Sequence, residues 1–151
     1  MIPNNAITFC RPKEFYGCFS NFSRHAIKCN QGFMYATTEH YYQAMKHYGK
    51  QLFFDIIKTS DPFDAKKLAY LQEPRKDWED IKYNVMLEAL RFKVKQHPKI
   101  WELLLSTGKK QLIEISRKDK VWGMTPQGEG LNWLGKAWMT IREEIQQGRL
   151  I

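Results

Sequence analysis

Thr37-Thr38-Glu39-His40-Tyr41-Tyr42-Gln43-Ala44-Met45-Lys46 reads as the start and body of a helix. It contains neither Gly nor Pro, and the hydroxyl of Thr37 or Thr38 can accept a hydrogen bond from one of the unpaired first-turn amides. The helix is expected from about Thr38 to Tyr48, with Gly49 ending it. Glu39, Gln43 and Lys46 then fall at i, i+4 and i+7 on one face. Tyr41, Ala44, Met45 and Tyr48 form the opposite stripe and are expected to face a core. A carboxylate, an amide and an amine aligned over two turns make a plausible chemical platform. The same spacing equally fits solvated surface charges, the ordinary state of charged residues on a helix.

Upstream, the first 36 residues look irregular and β-rich. Ile7-Thr8-Phe9, Ala26-Ile27-Lys28 and Phe33-Met34-Tyr35 are short strand candidates, and Asn30-Gln31-Gly32 reads as a hairpin turn. Downstream, Leu52, Phe53, Ile56 and Ile57 make a short helical stripe. Ser60-Asp61-Pro62 restarts a helix carrying Ala65, Leu68 and Ala69, which Glu73-Pro74 breaks. The longest helix is expected from about Asp77 to Gln96, with Trp78, Ile81, Val85, Ala89 and Phe92 on one stripe. Pro98 opens another, closed by Thr107-Gly108; Leu112 to Ile115 is a strand candidate. A last helix starts near Asn132 and carries Leu134, Trp138, Ile141 and Ile145. Helices and strands do not alternate, so the expected class is α+β: a mostly helical single domain, 1–151, with a few short strands.

The chain has 24 Lys and Arg against 16 Asp and Glu, a formal net charge of +8. That balance suits polyanionic partners such as nucleic acid, nucleotides or phosphorylated substrates. Aromatic residues make up 14% of the chain and can fill a core or stack on a planar ligand. The 3 cysteines, Cys10, Cys18 and Cys29, are odd in number and contain no C-x-x-C pair, so a disulfide framework or zinc site is not expected. No run of about 18 apolar residues is present, and the N-terminus lacks a secretory pattern, so a soluble, cytoplasmic protein with no membrane partner is expected.

A second constellation lies near the end. Asp119-Lys120-Val121-Trp122-Gly123 precedes Gly128-Glu129-Gly130-Leu131-Asn132-Trp133-Leu134-Gly135. Asn132 is a natural N-cap, and the glycines can bring backbone amides close to a phosphate at the helix start. The G-x-G-x-x-x-x-G spacing is not the dinucleotide fingerprint, and no strand immediately precedes it. Asp119 fits a general base, a ribose-hydroxyl acceptor or a surface residue; Trp122 and Trp78 fit stacking or packing. Ser20-Asn21-Phe22 follows an aromatic run, and Asn21 can both donate to and accept from a heterocycle edge.

Taken together, these segments resemble the NADAR, or YbiA-like, family. The resemblance rests on Phe19-Ser20-Asn21-Phe22, Thr38 to Lys46, Asp77-Trp78 with Val85 to Leu90, Leu105 to Gly108 with Leu112-Ile113-Glu114, and Asp119, Trp122-Gly123, Gly130 to Gly135 and Met139 to Arg142. It covers nearly the whole chain in order and implies the family's α+β fold and an N-glycosidase activity. Two substrate classes are implied: ADP-ribosylated guanine in DNA or RNA, and early phosphorylated riboflavin-biosynthesis intermediates in which a ribosyl unit joins a pyrimidine amine. The resemblance makes Glu39, Lys46 and Asp119 the catalytic candidates. Ser20, Asn21, Phe22, Gln43, Trp78, Trp122, Gly123, Gly130, Asn132 and Gly135 are the substrate-binding ones. The chain departs from the family at Ala69-Tyr70-Leu71, where Gly-Arg is common, and in the Met124-Thr125-Pro126-Gln127 loop.

Two routes can cleave a ribosyl–amine bond, and neither requires a metal or cofactor. In one, Glu39 and Asp119 act as paired carboxylates. In the other, Lys46 displaces the leaving amine by transimination while Glu39 moves protons; this is the favoured expectation. Arg11, Arg142 and the Gly128–Asn132 loop are expected to meet phosphate. A non-catalytic ADP-ribose or nucleic-acid binding module is the remaining alternative.

Overall fold

The computed structural model describes residues 1–151 and divides them into two compact units, Arg24–Gln96 and Met1–Ser23 with His97–Ile151. No helix is long and apolar enough to cross a membrane.

In the unit Arg24–Gln96, strands β2 (Ile27–Lys28) and β3 (Met34–Tyr35) form an antiparallel hairpin with Ile27 opposite Tyr35. Four helices follow: α1 (Thr38–Met45), α2 (Gln51–Lys58), α3 (Pro62–Ala69) and α4 (Trp78–Gln96). Asp61 caps α3 by accepting from the Phe63 amide at 2.8 Å, and Pro62 occupies the first turn, where its missing N–H is no loss. Gln96 pins the end of α4 to β2, donating to the Lys28 carbonyl and accepting from the Lys28 amide, both at 2.8 Å.

Helix α1 packs against α2, α3 and α4. The amphipathic expectation fails here, because every residue from Thr38 to Ala44 is buried while Tyr48, expected in the core, is half exposed. A helix of Thr, Glu, His, Tyr and Gln can be enclosed only if its polar groups find partners. Thr37 caps it, accepting from the His40 amide at 3.2 Å. The Thr59 hydroxyl donates to the Ile56 carbonyl, so it accepts from His40 Nε2–H at 3.1 Å. That assignment leaves Nδ1 to accept from the Thr37 hydroxyl at 2.8 Å.

Acid should loosen this joint. Burial holds the His40 imidazole below its ordinary 6.5. An unfolded chain therefore binds a proton that the native state resists, so this contribution is full above pH 6.5 and fades as pH falls through the depressed native value. The melting temperature should drop below pH 6.5, less steeply in His40→Gln. The slope should not vanish in that variant, because His47 is depressed by the same cause.

In the other unit, β1 (Ile7–Phe9) pairs with β4 (Leu112–Glu114) in parallel, Ile7 opposite Leu112. Helices α5 (Pro98–Ser106) and α6 (Trp133–Gln146) complete it, with a 3-10 turn at Gly17–Phe19. Phe19 is fully buried; its ring lies 5.7 Å from Phe9 and 5.0 Å from Trp138, and Trp138 Nε1–H donates to its carbonyl at 2.9 Å.

Candidate active site

Glu39 and Gln43 stand one turn apart on α1, and both are buried. The Gln43 Nε2 amide donates to Glu39 Oε2 at 2.6 Å. This contact orients the Gln43 amide, because turning its oxygen toward a carboxylate would set two acceptors face to face. Gln43 Oε1 is then left buried with no partner. Solvated charge, the alternative left open by spacing, does not describe Glu39, which is only 7% exposed.

Lys46 sits at the C-terminal cap of α1, half-buried, inside three aromatic rings. Its Nζ lies 5.5 Å from the centroid of Tyr42, 5.1 Å from Tyr70 and 5.9 Å from Trp78, and Tyr42 and Trp78 meet edge to face at 5.0 Å. Burial is the largest influence on the amine and pushes its pKa below the usual 10.5. Lys66 and Lys82 push the same way, while Glu39 and Glu79 oppose. The ring faces also favour the ammonium, but an amine taken out of water beside two other lysines gives up its proton more readily than a free one. Readier deprotonation is what a nucleophilic lysine needs.

The rings are tied back to the residues beside the amine. The Lys46 carbonyl accepts from the Arg75 amide at 2.9 Å, and the Arg75 carbonyl accepts from the Trp78 amide at 3.0 Å. Arg75 also grips Asp77 in a two-point ion pair, at 2.6 and 3.1 Å. His47 Nε2–H donates to the Ala69 carbonyl at 2.8 Å, fixing the residue before Tyr70. The Lys46-His47 dipeptide therefore positions both outer rings.

The remaining candidates lie in the unit Met1–Ser23 with His97–Ile151. Ser20 and Asn21 are buried, and the Ser20 hydroxyl accepts from the Phe22 amide at 3.1 Å. Asp119 Oδ1 accepts from the amides of Val121 and Trp122 at 3.0 and 2.9 Å, so that oxygen holds a turn. Trp122 packs edge to face on Trp133 at 5.6 Å. Asn132 occupies the N-cap position but does not cap. Its backbone is left-handed at φ 52, and its side chain bridges β4, accepting from the Glu114 amide at 3.0 Å and donating to the Leu112 carbonyl at 2.9 Å.

Those contacts correct the phosphate expectation at the start of α6. The Trp133 and Leu134 amides donate to the carbonyls of Val121 and Trp122 at 3.0 Å, so they do not point at a ligand. The glycines serve close backbone packing. A Cβ at Gly130 would stand 2.6 Å from the Gly123 carbonyl oxygen, one at Gly123 would stand 2.9 Å from that of Glu114, and one at Gly135 would strike the Leu112 carbonyl and the Asn132 amide. Arg142 is buried too, donating to the Thr107 hydroxyl at 2.8 Å, which accounts for its guanidinium without a phosphate.

Sequence reasoning missed Tyr70 and His47. The signal for Tyr70 was present: it stands where the chain departs from the family's Gly-Arg. His47 carried no signal, because its partner is a backbone carbonyl.

Residues 8–146 match the NADAR domain. The chain is 40% identical over 145 residues to "N-glycosidase Npun_R5314" of Nostoc punctiforme, covering 93% of this chain and 92% of that one. It is 35% identical over 147 residues to "N-glycosidase YbiA" of Escherichia coli K12, covering 96% and 91%. It is also 35% identical to "Riboflavin biosynthesis protein PYRR, chloroplastic" of Zea mays, but spans only 25% of that longer protein. The NMR structure of the E. coli protein YbiA superimposes with a TM-score of 0.88 at 35% identity, covering 99% of this chain and 90% of that one. Six helices and a few short strands in the same arrangement, together with a domain match over most of the length, place this chain in the NADAR domain family.

Proposed function

We propose that this chain is an N-glycosidase that cleaves the bond between a ribose anomeric carbon and an amine nitrogen borne by a heterocycle, and that it removes ADP-ribose from ADP-ribosylated guanine in nucleic acid. The observation that carries the reading is Lys46, an amine held among three rings with its basicity lowered, on the same helix as the buried Glu39 carboxylate. Relatives named N-glycosidases support the reaction class, and the +8 charge supports a polyanionic substrate.

The lysine route suits these residues better than paired carboxylates, since Asp119 Oδ1 is already engaged by two amides. Glu39 first takes a proton from the Lys46 ammonium, leaving the amine neutral. The lone pair of the glycosidic nitrogen then forms a C=N bond as the ring C–O bond breaks, and Glu39 passes that proton to the ring oxygen. Neutral Lys46 adds to the anomeric carbon, a proton passes from Nζ to the leaving nitrogen, and the heterocyclic amine departs. Water then adds to the lysine imine, and the sugar is released as its aldehyde, free to reclose.

Relatives named riboflavin biosynthesis proteins favour a second reading, in which the substrate is an early phosphorylated ribosylamino-pyrimidine. Incubating the protein with an oligonucleotide bearing ADP-ribosylated guanine and, separately, with the ribosylamino-pyrimidine phosphate decides between them. Release of ADP-ribose, weakened by added salt, is the expected result. Release from the pyrimidine alone transfers the assignment to the second reading, and binding without release from either leaves a non-catalytic module.

A further inference from the structure

Two buried polar side-chain atoms have no partner, Oε1 of Gln43 on α1 and Nδ1 of His47 just beyond its C-terminal cap. Gln43 matters more to the chemistry, because it lies between Glu39, four residues before it, and Lys46, three after it, both neighbours on a helix. Leaving an amide oxygen buried and unpaired is unfavourable, and native structures rarely do so without a reason. The donor from Gln43 to Glu39 fixes which end of the amide is unpaired, so the atom on offer accepts and cannot donate.

We infer that Gln43 Oε1 accepts the hydrogen carried by the glycosidic nitrogen, which restricts the enzyme to ribosylamines whose linking nitrogen bears an N–H. The inference rests on the N-glycosidase reading and extends it to substrate class. A nitrogen bonded to the carbon that Lys46 attacks lies one bond from the reacting centre, and Gln43 neighbours Lys46 at i, i+3 along the helix. As the ring opens, that nitrogen gains positive charge and its N–H becomes a stronger donor. The hydrogen bond therefore tightens toward the transition state. Nucleosides linked through a ring nitrogen carry no such hydrogen.

The test compares two substrates, whichever of the two ribosylamines named above the protein turns over (ADP-ribosylated guanine in an oligonucleotide or the ribosylamino-pyrimidine phosphate) and the N-methyl derivative of that linkage. Both can open to an iminium, but only the first has the N–H. Wild-type protein should prefer the N–H amine by about 10- to 100-fold in kcat/KM, the worth of one hydrogen bond to a charged group. Gln43→Leu should bring that ratio to within a few-fold of one by slowing the N–H amine. Disturbance of Glu39 slows both amines alike and cancels in the ratio. Gln43→Met serves the same purpose if the leucine variant does not fold. Equal wild-type rates, or a preference that survives both substitutions, would overturn the inference and leave the N-glycosidase reading standing. Turnover of neither amine by the wild-type protein would overturn both.

Discussion

Lys46→Ala should lower turnover by at least about a thousandfold, and Lys46→Arg should not rescue it, because a guanidinium does not deprotonate at neutral pH. Borohydride added during turnover should leave a sugar-sized mass on wild-type Lys46 and none on the alanine variant. The pH profile carries the same signature. Because burial and neighbouring lysines hold the amine below 10.5, kcat/KM should rise with pH as the ammonium loses its proton and level off below that value. Lys82→Met removes a like charge, so the amine should hold its proton to higher pH and the rising limb should move up. An active Lys46→Ala variant with no trapped adduct would return the chemistry to Glu39 alone.

The largest stability effect should come from a single methyl group. At Gly135, in the first turn of α6, a Cβ would overlap the Leu112 carbonyl oxygen and both polar atoms of the Asn132 amide. Neither can yield, since Asn132 is already hydrogen-bonded to the Leu112 carbonyl and the Glu114 amide along one edge of β4. Gly135→Ala should therefore destabilise the protein by about 3 kcal/mol or more, combining overpacking with loss of a buried bridge. For a chain of this length that corresponds to a melting temperature lower by roughly 10 °C. Gly148→Ala is the control. Its φ of +71° makes alanine unfavourable, but nothing lies within 4 Å of the added carbon, so its cost should stay near 1 kcal/mol. Similar losses at both positions would mean that the collision at Gly135 is relieved by local movement, since Gly135 has no positive φ to strain.

The helices were legible because their signals are local. Pro62 and Pro98 open α3 and α5, and the stripe from Trp78 to Phe92 falls within α4. The strands were placed to within a residue or two, but the parallel union of Ile7–Phe9 with Leu112–Glu114 was not legible, because no local pattern names a partner a hundred residues away. Burial of α1 was hidden for a different reason. Its composition is that of a surface helix, and hydrogen bonds such as those of His40 and Gln43 make enclosure tolerable. The start of α6 was misread where two uses of one residue compete. Asn132 offers the chemistry of a cap, yet Leu112 and Glu114 claim its amide. At the candidate site, the Glu39–Gln43–Lys46 spacing could be read directly; the tyrosine that completes the ring of aromatics was marked only by the departure from the family's Gly-Arg.

That tyrosine is 71% exposed, whereas the helix bearing the amine is buried from Thr38 to Ala44. The two are under unequal structural constraint. Changes along α1 disturb a sealed polar network, but residue 70 can be exchanged from the solvent side with the helix left intact. One surface substitution can thus change how readily the Lys46 amine ionises, or how wide its enclosure is, with the helix that bears it left unaltered.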